Sequence, residues 1–168
     1  RRAAAESGVG AEPIGAYLPR AGDVVIDALF GAGLGRDLSP EIAGLIAGVE
    51  DARLPVLAVD MPSGIDGHSG AIRGAAFRAA RTVTFMALKP GQILLPGREY
   101  CGEIEIAEIG VPQRLIAEHA CRTVLNDPAI WSSSARGKTP ASHKYTHGAL
   151  VVFSGPSGRT GAARLSAA

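Results

Sequence analysis

The stretch "DVVIDALFGAGLGRDLSPEIAGLIAGVEDARLPVLAVD", residues 23–60, decides the fold. It begins and ends with a short run of β-branched or apolar residues, 23–30 and 56–60. Between them, Ser39 followed by Pro40 has the residue types of a helix N-cap and first turn. Apolar residues then recur at helical spacing on one face, namely Ile42, Leu45, Ile46 and Val49. The stretch therefore predicts a strand–helix–strand unit, and its right-handed crossover makes the two strands parallel.

Two more strands are predicted downstream, at residues 82–87 and 103–109. The first three runs have the continuous apolar character of buried parallel strands, whereas the alternation in the fourth is typical of an edge strand. These elements predict an α/β fold with a Rossmann-like, doubly wound and mostly parallel sheet.

Composition narrows the class of protein. The chain has 168 residues, of which 46% are hydrophobic, so it can bury a core. Its formal net charge is +1, which gives no excess of positive charge to favour binding to nucleic acid or to an anionic membrane. No apolar run approaches the roughly 18 residues of a membrane span, and we expect a cytoplasmic protein. Cys101 and Cys121 lack the spacing of a disulfide framework or a zinc site.

Two acids are expected to meet where the first two strands end. Parallel strands place their carboxyl ends on one rim of the sheet, where ligands of open α/β sheets bind, and Asp27 and Asp60 lie there with Ser63 close behind. Like charges so placed raise one another's pKa or require a cation, and carboxylate and hydroxyl oxygens suit an alkali or alkaline-earth ion. The alternative is a purely structural turn shaped by Pro62 and Gly64.

A glycine-rich loop, residues 31–37, follows the first strand on the same rim. Its glycines are spaced G-x-G-x-G, which differs from the dinucleotide fingerprint. Glycines nevertheless let a backbone approach phosphate closely, a helix begins just after the loop, and Arg36 adds a positive charge. The alternative is a loop shaped only by chain reversal.

A serine nucleophile is the competing chemistry. Ser63, Asp66 and His68 have the residue types of a triad, but the G-x-S-x-G elbow is missing and nothing orients the histidine. Lys89, also on this rim, could reach a phosphate or be a solvated lysine before a turn. The histidines look exposed or belong to a linker: His68, His119, His143 and His147.

Three motifs in order resemble the NAD(P)H-hydrate epimerase family, the YjeF N-terminal domain. They are "DVVIDALFGAGLGRDL", "VLAVDMPSGIDGHSGAIRGAAFRAARTVTFMALKPGQILLPG" and "GEIEIAEIGVP", which together span roughly residues 23–112. The resemblance implies an enzyme that interconverts the R and S epimers of hydrated NADH or NADPH.

The resemblance also implies roles for individual residues. Asp27 and Ser63 correspond to potassium ligands, and Asp60 to the carboxylate that contacts the hydrated ring. The loop that contacts the phosphates would consist of Gly31, Ala32, Gly33, Leu34, Gly35, Arg36 and Asp37. Epimerisation needs a group that takes and returns a proton, and a carboxylate whose pKa burial moves toward neutrality suits this role. Asp60 is our candidate, with Asp66 in reserve.

A second domain is predicted behind a linker. Residues 126–147 are rich in Ser, Thr, Pro and basic residues, and "HKYTHGALVVFSGPSGRTGAARLSAA" resembles the opening of a ribokinase-like NAD(P)H-hydrate dehydratase domain, which implies ADP or ATP as a cofactor. We therefore expect an epimerase domain at 1–125 and a dehydratase domain beginning at 148–168. A strand is expected at 149–153 and a helix after it. The helix-like residues 1–5 and the abrupt end indicate an N-terminally truncated fragment of a bifunctional enzyme.

One departure separates the chain from the family pattern. An Asn-Asn-Gly-Gly-Asp-Gly-like loop should precede the first motif, and the only asparagine here is Asn126. Two other classes stay open, a noncatalytic nucleotide-binding or protein-interaction module and an NAD-dependent dehydrogenase. The sequence leaves open the choice between NADH and NADPH hydrates and the oligomeric state, a homo-oligomer included.

Overall fold

The computed structural model describes residues 10, 12–119, 123–134, 137, 139–143, 148–149 and 151–167. The chain divides into two units, Arg1–His119 and Ala120–Ala168. The described part of the first unit contains strands β1 (Val25–Asp27), β2 (Val56–Val59), β3 (Arg81–Phe85) and β4 (Glu103–Ala107), and helices α1 (Pro40–Asp51) and α2 (Gln113–His119). Short 3₁₀ segments occur at Ile14–Ala16, Pro90–Gln92 and Gly97–Tyr100.

All four strands form one parallel sheet in the order β1-β2-β3-β4. The register aligns Asp27 of β1 with Ala58 of β2, and Val59 of β2 with Val83 of β3. The predicted α/β fold with a parallel sheet is therefore confirmed. Because the strands run the same way, the segments that follow β1, β2 and β3 all leave from one rim.

Helix α1 begins as predicted. The Ser39 hydroxyl accepts a hydrogen bond from the Ile42 amide at 3.4 Å, and proline occupies the first turn. Ile46 and Val49 are buried on the predicted face and pack in one core cluster with Leu54, Val56 and Phe77. Burying such side chains contributes about 1.5–3 kcal/mol each, which fixes α1 against the sheet.

The positions of three strands in the sheet agree with the prediction, although β3 is only partly buried. β2 and β3 are central and β4 is an edge, as expected. The expectation that the first strand is fully buried is wrong, because Val24 and Ile26 are 67% and 66% exposed. β1 is the other edge of the described sheet, and alternate side chains of a strand point to opposite faces. Val25 packs against the core that includes α1.

The second unit has short helices in its described part, α3 (Pro128–Trp131) and α4 (Gly161–Ala167), with a 3₁₀ turn at Ser132–Ser134. α4 confirms the helix predicted near the end of the sequence. α3 and the 3₁₀ turn lie within the predicted linker. The strand expected at 149–153 is wrong for the residues described there, 149 and 151–153, which form no strand. The helix end expected at residues 1–5 lies outside the described residues.

Candidate functional site

Asp27, the last residue of β1, is bonded to the turn that follows β2. Its carboxylate is buried and accepts two hydrogen bonds from Ser63, one from the amide and one from the hydroxyl, each at 2.6 Å. The Ser63 hydroxyl oxygen also accepts the Phe30 amide at 2.9 Å and lies 3.3 Å from the Phe30 carbonyl oxygen. These bonds fix the Pro-Ser-Gly turn to the end of β1.

The Asp27 carboxylate lacks a basic partner, since none of the ion pairs in the described ranges involves it. Burial raises the pKa of Asp27 above its ordinary value, although the hydrogen bonds from Ser63 and Leu29 oppose this. A carboxylate, a hydroxyl and a carbonyl oxygen therefore lie together around a buried charge. Hard oxygen donors of this kind fit an alkali cation.

Asp60 follows β2 in the left-handed backbone region, with φ at 70°. This conformation costs a residue other than glycine about 1–2 kcal/mol. One carboxylate oxygen, Oδ2, accepts the Ala32 amide of the glycine-rich loop at 3.0 Å. The other, Oδ1, pairs with the Lys89 ammonium group at 2.6 Å and accepts the Thr84 hydroxyl at 3.3 Å. The carboxylate of Asp60 is therefore held from both sides, by the loop after β1 and by residues of β3 and the segment after it.

The pKa of Asp60 is lower than that of an ordinary aspartate. Burial alone would raise it, but hydrogen bonds from Lys89, Ala32 and Thr84, together with the Lys89 charge, outweigh burial. The expected movement of this pKa toward neutrality is therefore wrong. The pKa is lowered mainly because Lys89 lies against the carboxylate, a contact that could not be predicted from the sequence.

The glycine-rich loop lines an open groove of about 480 Å³ together with Leu29 and Phe30. A Cβ atom on Gly31 would lie 2.7 Å from Asp60 Oδ2, so the acid requires glycine there. Gly33 and Gly35 differ, because a Cβ atom on either would meet nothing within 4 Å and neither has a positive φ. The fold itself does not require glycine at these two positions, whereas the close approach of a ligand would.

Asp66 organises its own loop. Its carboxylate accepts the amides of His68 and Ser69 and the Ser69 hydroxyl, and it forms an ion pair with Arg73. The Arg73 hydrogen bonds, followed by those from Ser69, hold the pKa of Asp66 far below its ordinary range. A carboxylate so occupied is poorly suited to accept a proton.

The serine triad does not form. The Ser63 hydroxyl is engaged by Asp27 and Phe30, Asp66 is paired with Arg73, and His68 is exposed. Among these described residues no hydrogen bond joins the His68 ring to either partner. His119 and His143 are exposed, and His147 lies outside the described residues. Cys101 is a buried core thiol whose pKa burial raises to about 11, and Cys121 lies outside the described residues.

The rim lies within a region of the chain that matches a known protein family. Residues 5–91, just over half of the chain, match the family described as "YjeF-related protein N-terminus". The chain belongs to this family. The matched range contains the whole rim from Asp27 to Lys89, so the resemblance seen in the sequence motifs is confirmed.

Relatives of this YjeF-related chain carry repair-enzyme names. It is 37% identical over 147 residues to the bifunctional NAD(P)H-hydrate repair enzyme Nnr of Moorella thermoacetica, covering 86% of this chain and 27% of that protein. The Nnr enzyme of Escherichia coli is 34% identical over 150 residues, which cover 88% and 28% of the two chains. The NAD(P)H-hydrate epimerase of Oenococcus oeni is 42% identical over 87 residues, 52% of this chain and 41% of that protein. The chain thus spans about a quarter to two fifths of these relatives.

Several residues of the YjeF-related rim were missed or misread from the sequence. Lys89 was placed on the rim, but its pairing with Asp60 was not predicted. Arg73 was not singled out, nor was Gln92, whose side-chain amide donates to the Asp60 carbonyl at 2.9 Å. Side chains that act through tertiary hydrogen bonds leave no periodic pattern.

Within the described residues, no three or more His, Cys, Asp and Glu side chains lie together in a group that could hold a metal. The oxygens beside Asp27 are of another kind, a hydroxyl and a backbone carbonyl. None of the described helices is long and apolar enough to cross a bilayer.

Proposed function

We propose that this protein interconverts the R and S forms of hydrated NADH and NADPH. Family membership and the names of the relatives support the reaction class. The observation that carries the proposal is the bond between the Ala32 amide and Asp60 Oδ2, which joins the glycine-rich loop to a carboxylate. A ligand with phosphates on that loop would therefore extend toward an acid.

Asp60 is the residue we assign to proton transfer. It is ionised at neutral pH, as a proton acceptor must be, and its Oδ2 accepts one hydrogen bond, whereas both oxygens of Asp66 are engaged. Oδ1 is engaged by Lys89 and Thr84, which makes Oδ2 the oxygen for the hydrated ring. The loop from Gly31 to Asp37 would hold the phosphates, with Arg36 supplying charge. Asp66 then has a structural role, because Arg73 and Ser69 occupy its carboxylate.

Potassium is the cofactor proposed for the neighbouring cluster. Asp27 and Ser63 would hold it, with the Phe30 carbonyl oxygen at hand. When bound, the ion supplies a positive charge that offsets the buried carboxylate. Ser63 would then keep the turn after Asp60 in place, which links the ion to the position of the acid without involving it in proton transfer.

A second activity, dehydration of the S form with ADP or ATP, is proposed for the region after the linker. The alignments with bifunctional enzymes extend over 147 and 150 residues, whereas the alignment with a stand-alone epimerase covers 87. This difference in length supports a dehydratase domain that begins at 148–168, after an epimerase domain at 1–125 and a linker at 126–147. We place the ADP or ATP with that second domain.

The dehydrogenase alternative is disfavoured by the glycine-rich loop. A dehydrogenase of this fold binds the pyrophosphate at a G-x-G-x-x-G turn and the ribose 2′-hydroxyl with an acid at the end of the second strand. Asp60 occupies such a strand end, but the glycines at 31, 33 and 35 have a different spacing.

The test is a chromatographic assay of separated R and S hydrates with the full-length protein. Each pure epimer should relax to the same mixture, faster than in a protein-free control. If neither pure epimer converts faster with the protein than in the protein-free control, the proposed epimerase function is wrong.

A further inference from the structure

The ion pair between Asp60 and Lys89, which follows β3, is more buried than an ordinary surface ion pair. Lys89 and the Asp60 carboxylate are each only 21% exposed in their side chains. The Lys89 ammonium group donates to Asp60 Oδ1, to the Thr84 hydroxyl at 2.7 Å and to the Phe85 carbonyl at 2.9 Å. A lysine ammonium group has three protons, and three oxygens accept them here. It has none left to donate to a substrate, so Lys89 can act only through Asp60.

Gln92 connects the backbones of the same two residues. It is fully buried, its side-chain carbonyl accepts the Lys89 amide at 2.8 Å, and its side-chain amide donates to the Asp60 carbonyl at 2.9 Å. The second bond holds the backbone of a residue in the left-handed region, where an aspartate stays only if its surroundings fix it. The Asp60 amide donates to the Val83 carbonyl of β3 at 2.7 Å.

We propose that Lys89 and Gln92 are positioning residues that lock Asp60 with Oδ1 engaged and Oδ2 turned to the glycine-rich loop. Lys89 fixes the side chain and Gln92 fixes the backbone. The inference rests on the proposed function, because it names the residues that keep the proposed acid in its reactive orientation. It predicts that loss of either residue impairs turnover more than binding, since the phosphate loop keeps its own contacts.

The first variant is Lys89→Ala in the full-length protein. We expect kcat for epimerisation to fall by about 100-fold, the cost of a misplaced catalytic group, with KM within about 3-fold of the parental value. Propylammonium chloride, which replaces the missing side-chain atoms, should restore activity in a saturable manner, whereas tetramethylammonium chloride should not. A residue that serves only folding would not respond to the amine.

The second variant is Gln92→Met, which keeps the buried volume and removes both hydrogen bonds. It should lower kcat at an unchanged KM, and amines should not rescue it. Arg81→Met is the matched control, because Arg81 forms ion pairs with Glu103 and Glu105 at the opposite end of β3. The control should retain the parental kcat.

Crystal structures of Lys89→Ala and Gln92→Met separate this proposal from the proposed function. If the parent epimerises the hydrates and Lys89→Ala matches its kcat, the positioning proposal is overturned and the epimerase function stands. If the parent does not epimerise, the function is wrong and the structures decide the positioning. An Asp60 carboxylate or backbone that leaves its place in the variants supports the proposal, and an unchanged Asp60 overturns it.

Discussion

At the scale of single residues, Asp60 raises the clearest physical question. Glycine would adopt its left-handed conformation without strain, yet the position carries a carboxylate. Its bonds to Ala32, Thr84 and Lys89 offset part of the strain. The proposed proton transfer would give a functional reason for an acid at this position.

The first prediction concerns Asp60→Asn. Asparagine tolerates the left-handed region, but its one oxygen can accept either the Ala32 amide or the Lys89 ammonium group and not both. Tm should therefore fall, while the KM should be nearly unchanged because the phosphate loop is intact. Turnover should fall by about 100-fold or more, because an amide cannot accept the proton. The measurement is epimerisation kinetics with thermal melting as a check of folding. Glu103→Gln, which removes an exposed acid also paired with an arginine, should retain parental kinetics. An Asp60→Asn protein with the parental rate would assign Asp60 to the turn alone.

Asp27 carries a charge that burial makes unfavourable. Because its pKa is raised in the folded protein, the folded state binds the proton more tightly than the unfolded state. The resulting penalty is present above the raised pKa and disappears as the pH falls toward the ordinary value of 3.8. Within that window, lowering the pH increases the contribution of Asp27 to stability. A bound cation would remove the same penalty at neutral pH.

The second prediction follows from this penalty. At neutral pH and equal ionic strength, the protein should melt at a higher temperature in potassium chloride than in tetramethylammonium chloride. Each 1 kcal/mol of cation binding should raise Tm by about 2–4 °C. Asp27→Asn should abolish the difference between the salts and melt above the parent in tetramethylammonium chloride. Equal melting temperatures of the parent in both salts would contradict a potassium site at Asp27 and Ser63.

At the scale of elements, the glycine-rich loop separates two reasons for glycine. Gly31 is required by Asp60, whose Oδ2 would be only 2.7 Å from an added Cβ atom. Gly33 faces open space, so only a ligand would give a reason for its small size.

The third prediction is a contrast between these two glycines. Gly33→Ala should leave Tm unchanged and raise KM for the hydrated nucleotide, because the added methyl group holds the phosphates away from the loop. Gly31→Ala should displace Asp60 and lower kcat as well. Kinetics and melting of the two variants provide the measurement. A Gly33→Ala protein with parental KM would mean that the loop is shaped by chain reversal alone.

The elements also show which predictions a sequence can support. Both the Ser39 cap and the buried face of helix α1 could be predicted, because caps and helical periodicity depend only on residues close together in the sequence. The convergence of Asp27, Ser63 and Asp60 on one rim followed from the parallel crossover. The direction of the Asp60 pKa could not be predicted, since it depends on Lys89, which is 29 residues away in sequence and adjacent only in space.

At the scale of the whole molecule, the sequence predicted helices better than strands. Helix α4 formed where the sequence predicted it, because its hydrogen bonds close within the segment. The strand expected at 149–153 needs hydrogen bonds from a neighbouring strand, and the described residues of that unit provide none. The exposure of Ile26 in β1, and of Val24 just before it, could not be predicted for the same reason, since the burial of a strand face depends on what lies over it.

The last prediction joins the two proposed activities in the full-length protein. Given ADP or ATP and a mixture of R and S hydrates, the parent should consume both epimers, because epimerisation replenishes the S form that dehydration removes. Asp60→Asn should consume the S form at the parental initial rate and then slow to the rate at which the R form converts without protein. Chromatography of both epimers over time, beside a protein-free control, measures this. If the variant consumed the R form as fast as the parent, the coupling would not depend on Asp60. If the parent left the S form untouched, the dehydratase assignment would be wrong.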